Sequence, residues 1–240
     1  MASGSQLPVK FGGVFGYSAN ATTISNMPTG TPSGTALHQR IFAIWLGSTS
    51  VTFSAAPAGW SKIADVLIGQ LRWGLFFCPR WDINSTYSSS SPLFSWSASV
   101  SAVGTGAFVQ GVDTANPLLA GPVTVSGTST TATSFTIPSL TVDTSGMMLW
   151  DACARYTASA SARPVNVFAD TAPIAGSTST GSTGLNRRLT GWHNGAAADG
   201  ALGYRTPNPT TTKAVTITAG SNGYSGVAVA LRPAEQPAAA

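Results

Sequence analysis

An all-β fold, a jelly-roll-like β-sandwich built from two related halves, is what the sequence predicts, and three observations point to it. Apolar residues alternate with polar ones: Phe94, Trp96, Ala98 and Val100 are separated by Ser95, Ser97 and Ser99, and Val215 and Ile217 are followed by Thr216 and Thr218. A period of two marks a strand with one buried face. Such runs are short and are punctuated by 26 Gly and 15 Pro in 240 residues, the pattern of many strands joined by tight turns. Finally, pieces recur in the same order. Gly16-Tyr-Ser-Ala-Asn-Ala-Thr-Thr-Ile24 matches Gly127-Thr-Ser-Thr-Thr-Ala-Thr-Ser-Phe135, and Arg40-Ile-Phe-Ala-Ile-Trp-Leu46 aligns with Met147-Met-Leu-Trp-Asp-Ala-Cys153. The unit at 92–113 returns near the C-terminus, which marks an internal repeat.

The elements follow in order. Residues 1–33 form a partly extended N-terminal segment, with a weak strand around Val9 and Phe11, and the sandwich spans 34–233. Its halves cover about 34–120 and 121–233, meet near Gly121-Pro122, and leave a tail at 234–240. In the first half Arg40 to Leu46 is apolar on both faces, as a strand covered on both sides requires. Val51 and Phe53 suggest a short strand, and Ala56-Pro-Ala-Gly-Trp60 a turn that delivers a Trp into the core. Between Trp60 and Leu71 a helical stripe competes with a hairpin turning at Gly69-Gln70; the strand-like Leu75-Phe-Phe-Cys78 that follows favours the hairpin. Phe94 to Val100 and Ala107 to Val109, joined through Gly104 and Gly106, read as a second hairpin.

The second half is expected to contain strands at Val123 to Val125, Phe135 to Ile137, Leu140 to Val142 and Met147 to Tyr156. A Ser/Thr-rich excursion at 157–184 holds a strand-like Val165-Asn-Val-Phe168. Arg187 to Trp192 reads as a strand, and a last hairpin joins Val215 and Ile217 through Gly220-Ser-Asn-Gly223 to Val227-Ala-Val-Ala-Leu231.

Composition narrows the function. Hydrophobic residues make up 43% of the chain, enough for a substantial core, but charged residues only 8%, against roughly 25% in an average protein. A surface so poor in charge suits a subunit of a permanent assembly. The net charge of +4 comes from scattered Lys and Arg, with Arg187-Arg188 the only adjacent pair. That gives no basic stripe for nucleic acid to follow. The first residues lack a basic region before an apolar core, and no run of about 18 apolar residues occurs. Synthesis in a cytoplasm and no membrane insertion are expected. Cys78 and Cys153 sit in apolar runs and read as buried thiols.

Chemistry has few carriers. His38 precedes a strand and His193 lies in Trp192-His-Asn-Gly, a turn sequence. No nucleophile elbow, phosphate-binding glycine loop or His/Cys metal spacing appears. A glycosidase pair such as Asp82 with Asp151 is not selected over any other carboxylates. The expectation is a protein without catalytic residues, cofactor or metal. Of seven Trp, Trp45, Trp96 and Trp150 fall at core positions, whereas Trp73, Trp81 and Trp192 are candidates for stacking on a glycan or touching a partner.

The order of pieces is more specific: the two-sided strand, Pro57-Ala-Gly-Trp60, the aromatic hairpin, Phe94-Ser-Trp96, Gly111-Val-Asp113 with Pro117, Thr136-Ile-Pro-Ser139 and Val227-Ala-Val-Ala-Leu-Arg-Pro233. In these motifs the chain resembles the β-sandwich domain of virion proteins, particularly minor tail proteins, of tailed bacteriophages infecting actinobacteria. The resemblance covers nearly all of the chain from about Gly34. A second Pro-Ala-Gly-Trp turn is absent, with Ala172-Pro-Ile-Ala175 roughly in its place. It implies a structural component of the virion, a minor tail or tail-tip protein that assembles with other virion proteins and identical subunits. A capsid decoration protein is the nearest alternative, and a carbohydrate-binding module for a host cell-surface glycan is the alternative of another class. Because a sandwich strand should be apolar on one face only, Phe42, Ile44, Leu46 and Phe77 are candidate interface residues.

Overall fold

The computed structural model describes residues 10–24, 38–81, 92–127, 134–138, 140, 147–156, 178–180, 185–194, 213–216 and 221–234. Among them are twelve strands and no helix: β1 (Lys10–Ile24), β2 (His38–Leu46), β3 (Ser61–Ile68), β4 (Leu71–Trp81), β5 (Phe94–Gln110), β6 (Leu118–Gly127), β7 (Ser134–Ile137), β8 (Met147–Tyr156), β9 (Thr178–Thr180), β10 (Leu185–Asn194), β11 (Lys213–Thr216) and β12 (Ser221–Leu231). The fold is all-β, as expected. All pairings are antiparallel, in a sheet of order β1-β5-β2-β4-β3, a second of order β6-β12-β8-β10-β9, and a two-stranded sheet of β11 with β7.

The contest at Trp60 to Leu71 resolves to the hairpin. Ile68 faces Leu71 across the two-residue turn Gly69-Gln70, and Gly69 supplies the positive φ, 61°, that such a turn needs at its first position. The helical stripe fails because Ile63, Ala64 and Val66 pack together with Ile68 and Leu71 on one core while Leu67 points out, 57% exposed.

Both longer hairpins expected from the sequence are corrected. β5 is one continuous strand of 17 residues flanked by β1 and β2. Gly104, expected in a turn, lies opposite Tyr17 on one side and Ile44 on the other. A Cβ there would come within 2.5 Å of the Phe42 ring, so this glycine admits a ring against the strand instead of bending the chain. Near the C-terminus β11 pairs with β7 rather than with β12, and Gly223 lies within β12. Val51 and Phe53 form no strand of their own; Phe53 makes an isolated bridge to Trp96. Of the strand expected at Leu140 to Val142 only Leu140 is described, and it is not in a strand; the strand expected at 165–168 and the tail from 235 lie outside the described residues, as does the 157–184 excursion apart from β9.

Three apolar clusters hold the chain. The first joins the two five-stranded sheets: Ile41, Ala43, Trp45, Trp73, Leu75, Phe77 and Val109 from one meet Leu149, Cys153, Val227, Val229 and Leu231 from the other. The second lies on the opposite face of β2 and β4, where Phe42, Ile44, Leu46, Phe76 and Cys78 pack with Ile24, Val51, Phe53, Trp60, Phe94 and Trp96. In the third, Phe135, Ile137 and Leu140 pack on Ala228 and Ala230 of β12. β2 is therefore apolar on both faces because each face has its own core. Each large side chain so buried contributes roughly 1.5–3 kcal/mol.

The strand orders correspond position by position. Replacing β1, β5, β2, β4, β3 with β6, β12, β8, β10, β9 turns one sheet's order into the other's. At one end the ladder of β1 and β5 finishes in the pair Ile24 with Phe94 after a register shift, and in the other part of the chain Phe135 of β7 pairs with Val215 of β11.

Candidate functional site

Backbone geometry first decides what each candidate residue can reach. Trp73 lies in the middle of β4 with Trp45 opposite it on β2. Both are 0% exposed, with ring centroids 6.3 Å apart at 52°. The Trp73 indole N–H donates to the Asp151 carboxylate on β8 at 2.7 Å, which ties the two five-stranded sheets together through one charged hydrogen bond. Trp73 is therefore corrected from a surface contact to a core anchor. A carboxylate acceptor in the interior gives its indole N–H the partner that a buried tryptophan needs.

Phe42, Ile44, Leu46 and Phe77 are corrected in the same way, being no more than 2% exposed. The chain itself covers the second face of β2. The turn at 57–60, closed by a hydrogen bond from the Trp60 amide to the Pro57 carbonyl at 2.9 Å, brings Trp60 edge-on to Phe94 at 5.1 Å. Phe94 in turn lies 4.9 Å from Phe42. Phe77 faces the other way, into the cluster shared by the two sheets. Of the remaining candidates, Trp81 ends β4 opposite His38, and Trp192 stands opposite Leu149 on β10. Their side chains, and that of Trp150, lie outside the described residues.

Buried polar groups that the sequence does not advertise tie strand ends together. The Gln39 side chain donates to the Val112 carbonyl at 2.6 Å and accepts from the Val112 amide at 2.8 Å, imitating a ladder pair between β2 and the exit of β5. Asp113 caps the following turn by accepting from the amides of Ala115 and Asn116. The same exit is latched to the end of β12: the Asp113 amide donates to Arg232 O at 2.8 Å and the Ala234 amide to Gly111 O at 2.7 Å. The Gly111-Val-Asp113 and Arg232-Pro233 motifs thus act as a clasp. Ser225 of β12 donates to Ile68 O at 2.8 Å beside the β3–β4 turn.

Electrostatics are concentrated at two points. On β3, Asp65 accepts from Lys62 Nζ at 2.7 Å and from Arg72 Nε at 2.6 Å. Burial pushes its carboxyl up, but these hydrogen bonds and charges outweigh it and hold the group below the ordinary carboxylate value. Arg40 is 1% exposed, and burial pulls its guanidinium down to about 10, with Cys78 on the facing strand opposing part of the shift. Cys78 and Cys153 are buried and form no disulfide.

Asp151, one of the carboxylates considered for glycosidase chemistry, is fully buried against Trp73, and Asp82 lies outside the described residues. Among the described residues no three His, Cys, Asp or Glu side chains gather as a metal site, and no helix is long and apolar enough to cross a membrane. No protein family, curated protein or solved structure matches the chain.

Proposed function

We propose that the protein is a structural component of a bacteriophage virion, a minor tail or tail-tip protein, and that its two five-stranded sheets form one jelly-roll-like β-sandwich built from two related halves. The observation that carries this reading is a charge-poor chain, 8% Asp, Glu, Lys and Arg, whose motif residues serve packing: the Pro57 to Trp60 turn caps an outer core, and the clasp at Gly111 to Asp113 closes on Arg232 and Pro233. Residues kept for rigidity rather than chemistry are what a subunit of a permanent shell or tube needs. Two halves are supported by the matching strand orders and by the correspondence of Ile24 and Phe94 with Phe135 and Val215. Gly121-Pro122, near which the halves are expected to meet, lies inside β6.

Immunogold labelling of purified particles tests the reading. Label on the tail or its tip is expected, label confined to the head would make the protein a capsid decoration subunit, and unlabelled particles would overturn the virion assignment. Quenching of tryptophan fluorescence by host cell-wall polysaccharide would add a glycan contact, with Trp81 and Trp192 as the positions to mutate first.

A further inference from the structure

Four strands terminate the five-stranded sheets, β1 and β3 in one and β6 and β9 in the other. An edge strand offers a row of backbone N–H and C=O groups to any extended chain, and proteins blunt such edges with charge, proline, bulges or brevity. Three of the four are blunted. β3 carries Lys62 and Asp65, the latter bonded also to Arg72 of the neighbouring β4, beside a bulge between Lys62 and Ala64. β6 contains Pro122, which has no N–H, and its ladder with β12 shifts register on both sides of Ala230. β9 is three residues long.

β1 is different. It runs for 15 residues with no proline and no charge after Lys10, and among the described residues no strand pairs with its outer side. Its two register shifts, at Gly12/Val14 and Ala21/Thr23, bracket eight residues, Val14 through Ala21, in unbroken register with β5. At about 3.4 Å per residue this is roughly 27 Å of uninterrupted edge.

We propose that this edge is a dimerisation surface: residues 15–21 pair antiparallel with the same residues of a second copy, joining two five-stranded sheets into one continuous sheet. A second copy fits better than a foreign strand for two reasons. Antiparallel pairing about a two-fold axis is self-complementary, since residue i opposite j also places j opposite i; a register centred on Ser18, which faces its own copy so that opposed side chains share a face, pairs residues 15–21, seven of the eight positions. The segment also carries no charge to meet its own image, where like charges directly opposed would destabilise the pair. The inference goes beyond a virion role, because it names the strand and holds for the purified protein, so its failure leaves that reading standing.

Sedimentation and residue-resolved amide exchange on the intact protein test it together. In a monomer only the amides bonded to β5, every second one, are held. In the dimer both rows are bonded, so consecutive amides from Phe15 to Asn20 should exchange at least about tenfold more slowly than free amides. A monomer, or a dimer in which every second amide of this segment exchanges freely, overturns the proposal. Ser18→Lys places two like charges directly opposite each other at the two-fold axis and should weaken dimerisation by about tenfold without altering the circular dichroism spectrum. A folded S18K protein that dimerises as tightly as the original also overturns it.

Discussion

Trp73 and Trp45 are neighbours of the same chemistry and the same complete burial, yet the structure predicts opposite costs for truncating them. Trp73→Phe removes the donor to Asp151. A hydrogen bond to a charged group is worth about 1.5–3 kcal/mol, and the lost ring atoms add about 1 kcal/mol of packing. The sum is about 2.5–4 kcal/mol, which for a chain of this size lowers Tm by about 5–16 °C. Trp45 Nε1 is buried without a hydrogen-bond acceptor among the described residues, so Trp45→Phe loses the packing but also removes a desolvated donor costing about 1–3 kcal/mol. Its net effect should lie between zero and about 2 kcal/mol of stabilisation. Urea unfolding followed by far-ultraviolet circular dichroism reads both variants without depending on the tryptophans replaced. A double-mutant cycle of Trp73→Phe with Asp151→Asn should show a coupling of about 1–3 kcal/mol. Equal losses for W73F and W45F, or additivity of W73F with D151N, would refute the cross-sheet bond as the feature that separates the two tryptophans.

The Asp65 carboxyl titrates lower in the folded protein than in the unfolded chain. Its contribution is therefore complete above the unfolded value near 4 and is lost as pH falls through the folded one; Asp65→Asn should cost about 1 kcal/mol at pH 7 and progressively less as the pH is lowered below about 4, measured as the difference in urea midpoints. Gly69→Ala places a Cβ 2.8 Å from Ser126 Cβ at a φ of 61°, and should destabilise by about 1–3 kcal/mol without altering the spectrum of the folded state. Circular dichroism of the native protein should show less than about a tenth helix, against roughly a third in an average domain.

Local alternation and turn chemistry made the strands legible, and the Gly69-Gln70 hairpin could be read because its register follows from the turn itself. Pairing partners were less legible. Gly104 looks like a turn residue until the Phe42 ring is seen to occupy the space of its missing Cβ, and Gly223 sits within β12 rather than in a turn. The apolar residues on both faces of β2 announced two coverings, but not that residues 51–60 and 94–96 of the same chain supply the second. Trp73 could not be told from a surface tryptophan because its partner, Asp151, lies 78 positions away. Hydrogen bonds over such separations leave no local pattern in the sequence.

The proposed structural role in a virion is tested most directly by peptide mapping of density-gradient-purified particles. The proposed role predicts peptides of this chain in the particle fraction at a fixed ratio to the major structural proteins. Their recovery only from the soluble fraction of the lysate would contradict it.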